Sequence, residues 1–266
     1  MTHSTDPEAW IRRFHPNPDA GIRLICLPHA GGSAPFYFPV SRALAPEIEV
    51  LAVQYPGRMD RRKEPLIGSI DTLAEVLFEV LEPVLDDKPY ALFGHSMGAT
   101  VAFELARRFE AIGKRPRHLF ASGRRAPSRQ LQETVHQRDD AGLIADLKKL
   151  SGTDAKIFGN EELLASILPA IRGDYKAAET YEFRAGPALL RTPITALIGD
   201  QDPKVDRASA EAWGVHTTGD FELLVYPGGH FYLAEQAPAV LQVISERLSP
   251  YAAAAPVLAG AAGGAR

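Results

Sequence analysis

The chain has 266 residues, 45% of them apolar, a formal net charge of −4 and a single cysteine. That length and apolar content suffice for one sizeable core. The slight acidity argues against a nucleic-acid partner, and the lone Cys26 excludes an internal disulfide and argues against a thiolate metal site.

In chain order, residues 1–7 lack a basic segment followed by an apolar one, and no apolar run in the chain is long enough to span a bilayer. A cytoplasmic protein is expected. Short apolar runs then alternate with amphipathic helical patterns, which points to a parallel sheet with crossover helices. Strands are predicted at 23–27, 50–54, 90–93, 118–122, 194–198 and 222–226. Cys26 lies inside the first and reads as a buried strand thiol. Between the second and third strands, Ile70, Leu73, Val76, Leu77, Val80, Leu81 and Val84 keep a helical period, with Ser69 or Asp71 as the cap. A helix over 99–112 stops at Gly113. The last helix, about 233–248, carries Pro238, which belongs in its first turns or divides it.

One segment breaks the alternation. From about 124 to 186 no strand is predicted. Helical stretches at 139–150 and 161–183, with Pro169 inside the second, suggest a lid over the sheet's C-terminal edge. Residues 1–250 are thus expected to form a single α/β domain. The Ala- and Gly-rich residues 251–266 are expected to be a disordered tail.

Gly94-His95-Ser96-Met97-Gly98 sits between the third predicted strand and the helix that follows. Strand, glycine-flanked serine and helix together form the context of a nucleophile elbow, with Ser96 at the tip. A serine hydroxyl needs a base, and the base needs an orienting acid; in elbow hydrolases they follow in the order serine, acid, histidine. The strand at 194–198 leads into Gly199-Asp200-Gln201-Asp202-Pro203, and the strand at 222–226 into Pro227-Gly228-Gly229-His230-Phe231. His230 is the candidate base. Asp202 is the favoured acid and Asp200 the alternative, since Asp200 can also shape the turn; Asp206 can cap the next helix. The loop Pro28-His29-Ala30-Gly31-Gly32-Ser33 is small enough to aim a backbone N–H at the reaction center. Ala30 and Met97 are the candidate oxyanion donors. His29 and His95 stand beside motif positions and are expected to pack or position. No metal or cofactor is expected.

These pieces resemble the type II thioesterases that accompany polyketide synthases and nonribosomal peptide synthetases. The resemblance spans about residues 23–248. It is carried by the Leu27–Ser33 segment, Tyr55-Pro56-Gly57-Arg58 with Glu64-Pro65, Phe93 with the elbow, and the two loops holding Asp202 and His230. It implies an α/β-hydrolase fold with a helical lid, and hydrolysis of acyl groups from the phosphopantetheine thiol of acyl or peptidyl carrier proteins. It also implies Ser96, Asp202 and His230 as the triad, with Ala30 and Met97 as oxyanion donors. Met1 stands close to the fold, so a stand-alone enzyme is expected rather than a fused product-releasing domain; a monomer is expected because nothing in the sequence suggests an obligate assembly. Arg58, Arg61, Arg62 and Lys63, and separately Arg124, Arg125 and Arg129, are candidate docking clusters for an acidic carrier. An esterase on small or lipid esters, or a non-catalytic binder on the same scaffold, are the alternatives.

Overall fold

A computed structural model describes residues 4–129, 131–150, 161–186 and 189–252. Seven strands form one sheet: β1 Ile11–Arg12, β2 Ile22–Leu27, β3 Ile48–Val53, β4 Tyr90–His95, β5 Leu119–Ser122, β6 Ile194–Gly199 and β7 Phe221–Tyr226. Their spatial order is β1-β3-β2-β4-β5-β6-β7. β1 runs antiparallel to β3, and every other pairing is parallel. The six predicted strands are all present. β1 was not predicted, because two residues are too few to show any alternation.

The helices are α1 Pro7–Trp10, α2 Phe38–Leu44, α3 Ile70–Leu85, α4 Met97–Ala111, α5 Asp140–Lys149, α6 Glu161–Glu179, α7 Arg207–Glu211, α8 Tyr232–Glu235 and α9 Ala237–Ala252. Side chains alternate across a strand, so β2 feeds both sides of the sheet. Ile25 and Leu27 pack with α3 and α4 through Leu77, Val80, Val101 and Phe109. Leu24 and Cys26 pack with Leu44 of α2 and with Val240, Ile244 and Leu248 of α9. Complete burial pushes the Cys26 thiol far up, so it stays a protonated packing group.

Ser69, not Asp71, caps α3, its hydroxyl accepting from Thr72 N–H. Gly113 takes φ +81° just beyond α4. Pro238 lies at the second position of α9, and Gln236 separates α9 from α8, so the expected last helix is divided. α9 continues through Pro250 to Ala252, which corrects the expectation that the tail begins at 251; residues 253–266 lie outside the described residues. Among the described residues of 124–186 there is no strand. α6 ends at Glu179 rather than at 183.

Candidate active site

β3 lies on one side of β2 and β4 on the other. Chain connections therefore diverge between β2 and β4, and a crevice opens at their carboxyl ends. The loop after β2 carries Ala30, and the turn after β4 carries Ser96. Ser96 adopts φ 54° and ψ −117°. L-residues avoid that region, at a cost on the order of 1–3 kcal/mol. The surroundings hold it there: Ser96 N–H donates to Ser122 O (2.8 Å), and Ala99 N–H donates to Ser96 O (3.0 Å). A Cβ on Gly94 would collide with the Gly98 carbonyl, and one on Gly98 with the Leu27 carbonyl. Glycine at both positions lets the elbow close against β2.

Met97 is the first residue of α4, so its N–H has no acceptor within the helix. Ala30 N–H has no acceptor among the described residues, and both residues line the same cavity as Ser96 and His230. The next amide, Gly31 N–H, is taken by Asp174 Oδ2 at 2.7 Å.

β6 and β7 are neighbours, and their C-terminal loops meet. His230 Nδ1 lies 2.8 Å from Asp202 Oδ2, and the Asp202 carboxylate is fully buried. Asp202 Oδ1 accepts from Lys204 N–H (2.8 Å). The other two acids do different work. Asp200 Oδ1 accepts from Gly228 N–H (2.9 Å) and staples the two loops together. Asp206 caps α7 by accepting from Ser209 N–H.

His29 and His95 flank this pair. His95 Nδ1 bonds Ser122 Oγ (2.9 Å), which in turn bonds Tyr232 OH (2.7 Å). His29 stands edge-on to Phe36 and Phe231, both 4.9 Å away. Burial, then the neighbouring His230 and Arg58, lowers the His29 pKa to about 3. Burial, followed by His230 and His29, drives His95 well below its usual value. Both rings are therefore neutral near pH 7 and add no positive charge beside His230.

The model of the thioesterase domain family matches residues 22–248. The chain belongs to the thioesterase family. It is 50% identical over 246 residues to thioesterase PikA5 of Streptomyces venezuelae, covering 92% of this chain and 87% of that one. It is also 50% identical over 255 residues to a probable cadicidin biosynthesis thioesterase of Streptomyces griseus, covering 96% and 70%. Among solved structures, the type II thioesterase BorB from the borrelidin biosynthetic cluster superposes with a TM-score of 0.85 at 56% identity, covering 93% of this chain and all of that one. The fold is that of the α/β-hydrolases, and the protein is a serine thioester hydrolase.

In the thioesterase a partly open cavity of about 200 Å³ is lined by the elbow and by helices α5 and α6. Leu147, Ile167, Ile171 and Tyr175 supply apolar lining to the cavity that Ser96 and His230 also line. Among the described residues, no helix is long and apolar enough to cross a membrane, and no group of three or more His, Cys, Asp or Glu is arranged to hold a metal.

The thioesterase's two expected basic clusters are mostly dismantled by the fold. Arg58 and Arg61 are buried; Arg58 pairs with Asp174, and Arg61 pairs with Glu64 and lies 4.1 Å over the Trp10 ring. Arg125 is buried and pairs with Glu133 (2.8 Å). Arg124 turns inward, its Nε donating to Thr100 Oγ1 and Nη2 to Ala178 O. Of the seven residues, only Arg62, Lys63 and Arg129 are exposed. Sequence reasoning missed Asp174, whose helix lies more than a hundred residues from the loop it touches. No local pattern could reveal that contact.

Proposed function

We infer that this chain hydrolyses acyl groups from the phosphopantetheine thiol of acyl or peptidyl carrier proteins, clearing stalled or wrong units in polyketide or nonribosomal peptide synthesis. The observation that carries the mechanism is the buried Asp202–His230 pair, whose imidazole lines the cavity that also holds Ser96 on its strained elbow. The 50% identity to PikA5 and the fit to BorB support the carrier-protein reading.

In this reading His230 Nε2 takes the Ser96 hydroxyl proton as Oγ attacks the thioester carbonyl. Asp202 holds the opposite ring nitrogen as the donor and steadies the imidazolium. Ala30 and Met97 N–H groups meet the oxyanion. Collapse breaks the carbon–sulfur bond, and the thiol leaves with the His230 proton. With a pKa near 8.5 on the model scale, a thiol needs little acid assistance. Water then gives its proton to His230, attacks the acyl-enzyme and returns Ser96 and a free carboxylic acid. The residues suffice for hydrolysis without a metal or cofactor. Helices α5 and α6 act as a lid, with the acyl chain held between Ile171 and Leu147. The enzyme works as a cytoplasmic monomer.

A panel of acyl-loaded carrier proteins, assayed beside simple thioesters and oxygen esters of the same acids, tests the substrate class. Carrier-bound thioesters are expected to turn over with the highest kcat/KM. Preference for oxygen esters would make the protein an esterase. Absence of any turnover, with no phosphonate adduct on Ser96, would make it a binder.

A further inference from the structure

We propose that Asp174 and Arg58 form a positioning pair that holds the Ala30 loop in its oxyanion-binding shape and makes that shape depend on α6. The proposal rests on the catalytic reading above, in which Ala30 N–H is an oxyanion donor.

Two bonds pin the two peptides that flank Ala30. Gly32 N–H donates to His29 O (2.9 Å), which fixes the His29–Ala30 peptide that carries the Ala30 N–H. Gly31 N–H donates to Asp174 Oδ2 (2.7 Å), which fixes the next peptide. The first bond is local to the loop. The second comes from a carboxylate on α6, where Ile171, one turn earlier, also closes over Gly31. With the Gly31 N–H engaged by Asp174, the adjacent Ala30 N–H, on a residue that lines the cavity, has no acceptor among the described residues.

A carboxylate is a costly choice for this duty, because its charge opposes a second negative charge forming nearby. Arg58 answers that problem. Its Nη2 donates to the same Asp174 Oδ2, and both side chains are more than nine-tenths buried. Arg58 is itself held by Pro56 O (2.6 Å from Nη1) and lies 5.4 Å over the Tyr55 ring. Tyr55 OH donates to Pro28 O (3.3 Å), on the loop that Asp174 supports. Burial pushes the Asp174 carboxyl up, while Arg58 and Gly31 N–H pull it back toward ionisation. A buried ion pair seldom improves stability over a well-packed apolar pair. Here it supplies a fixed acceptor with its charge cancelled, joining three separate segments beside the reacting atoms.

The test compares steady-state kcat and KM on one acyl thioester, with circular-dichroism melts, for the parent and four variants. Phosphonate labelling of Ser96 in the parent is run first; a parent that takes no label overturns the catalytic reading and this proposal with it. Asp174→Ala is expected to lower kcat about 100-fold, the scale of losing one oxyanion donor, with KM changed less than about threefold. Asp174→Asn keeps an acceptor for Gly31 and is expected to retain at least about tenfold more kcat than Asp174→Ala. Arg58→Gln removes the cation that favours the ionised Asp174 and anchors its carboxylate. The carboxyl is then driven toward a protonated form no longer fixed on Gly31 N–H, and kcat is expected to fall on the same scale. Adding Asp174→Asn to it replaces the unpaired buried carboxyl with a neutral acceptor that needs no cation, and is expected to restore about tenfold. Folded Asp174→Ala with near-parental kcat overturns the proposal. So does a folded double variant no faster than Arg58→Gln, a comparison that decides the matter even if Asp174→Ala does not fold.

Discussion

Asp202 and His230 arrive from neighbouring strands 28 residues apart and meet at 2.8 Å, carboxylate to Nδ1, while Asp200 is turned away onto Gly228 N–H. The division between the two acids makes the first prediction. Asp202→Asn is expected to lower kcat by about four orders of magnitude, by comparison with other triads, through the wrong imidazole tautomer. Asp200→Ala is expected to cost about 1 kcal/mol of stability for the lost loop bond, with far less effect on turnover. Kinetics and denaturant melts of both variants check the assignment, and a reversed pattern would move the acid to Asp200.

Ser96 separates activity from stability. Ser96→Ala is expected to abolish the acyl-enzyme and the phosphonate adduct, as read by intact mass. Ser96→Gly should also be inactive, yet more stable than the parent by about 1 kcal/mol, because glycine tolerates the elbow's backbone angles. An unchanged or lower melting temperature in Ser96→Gly would show that the elbow stores no strain.

Gly98→Ala tests the close approach of α4 to β2. The added methyl meets the Leu27 carbonyl, so the elbow and the Ala30 loop cannot keep their spacing. Stability is expected to fall by roughly 1–3 kcal/mol, as for other overpacked sites, and kcat with it. A fully active, equally stable variant would place the two segments farther apart than described.

Acid should weaken the fold through buried neutral histidines. Burial, with Arg247 nearby, lowers the His118 pKa to about 4, and burial, with Arg107 nearby, lowers that of His216 to about 4. Above about pH 6.5 folded and unfolded states both carry these rings uncharged. Below it the unfolded chain binds protons that the folded chain refuses, so stability is lost as pH falls from 6.5 toward 4. His118 Nε2 is 2.8 Å from Thr195 Oγ1, and His216 Nε2 is 2.9 Å from Ser128 Oγ. Melts across that window should show a shallower decline in His118→Gln and His216→Gln than in the parent. Identical slopes would mean that these rings titrate normally.

Much of this protein was legible one residue after another. Six parallel strands, the α3 stripe from Ile70 to Val84 and the elbow glycines express local rules: side-chain period, capping and the space a sharp turn allows. The order serine, acid, histidine followed from the same reading, because loops at strand ends fall on one edge of a parallel sheet. What the linear order leaves open is which partner a polar group finds. Arg58 and Arg61 look like a solvent-facing basic run, yet the fold buries both, one against Asp174 on α6 and the other against Glu64 and Trp10. Asp202 is the favoured acid in the sequence, but Asp200 stays open as the alternative until the β6–β7 pairing aims Asp202 at His230 and Asp200 at Gly228. Backbone periodicity is set by neighbours a few residues away, whereas the pairing of buried charges is decided by contacts between segments tens to hundreds of residues apart.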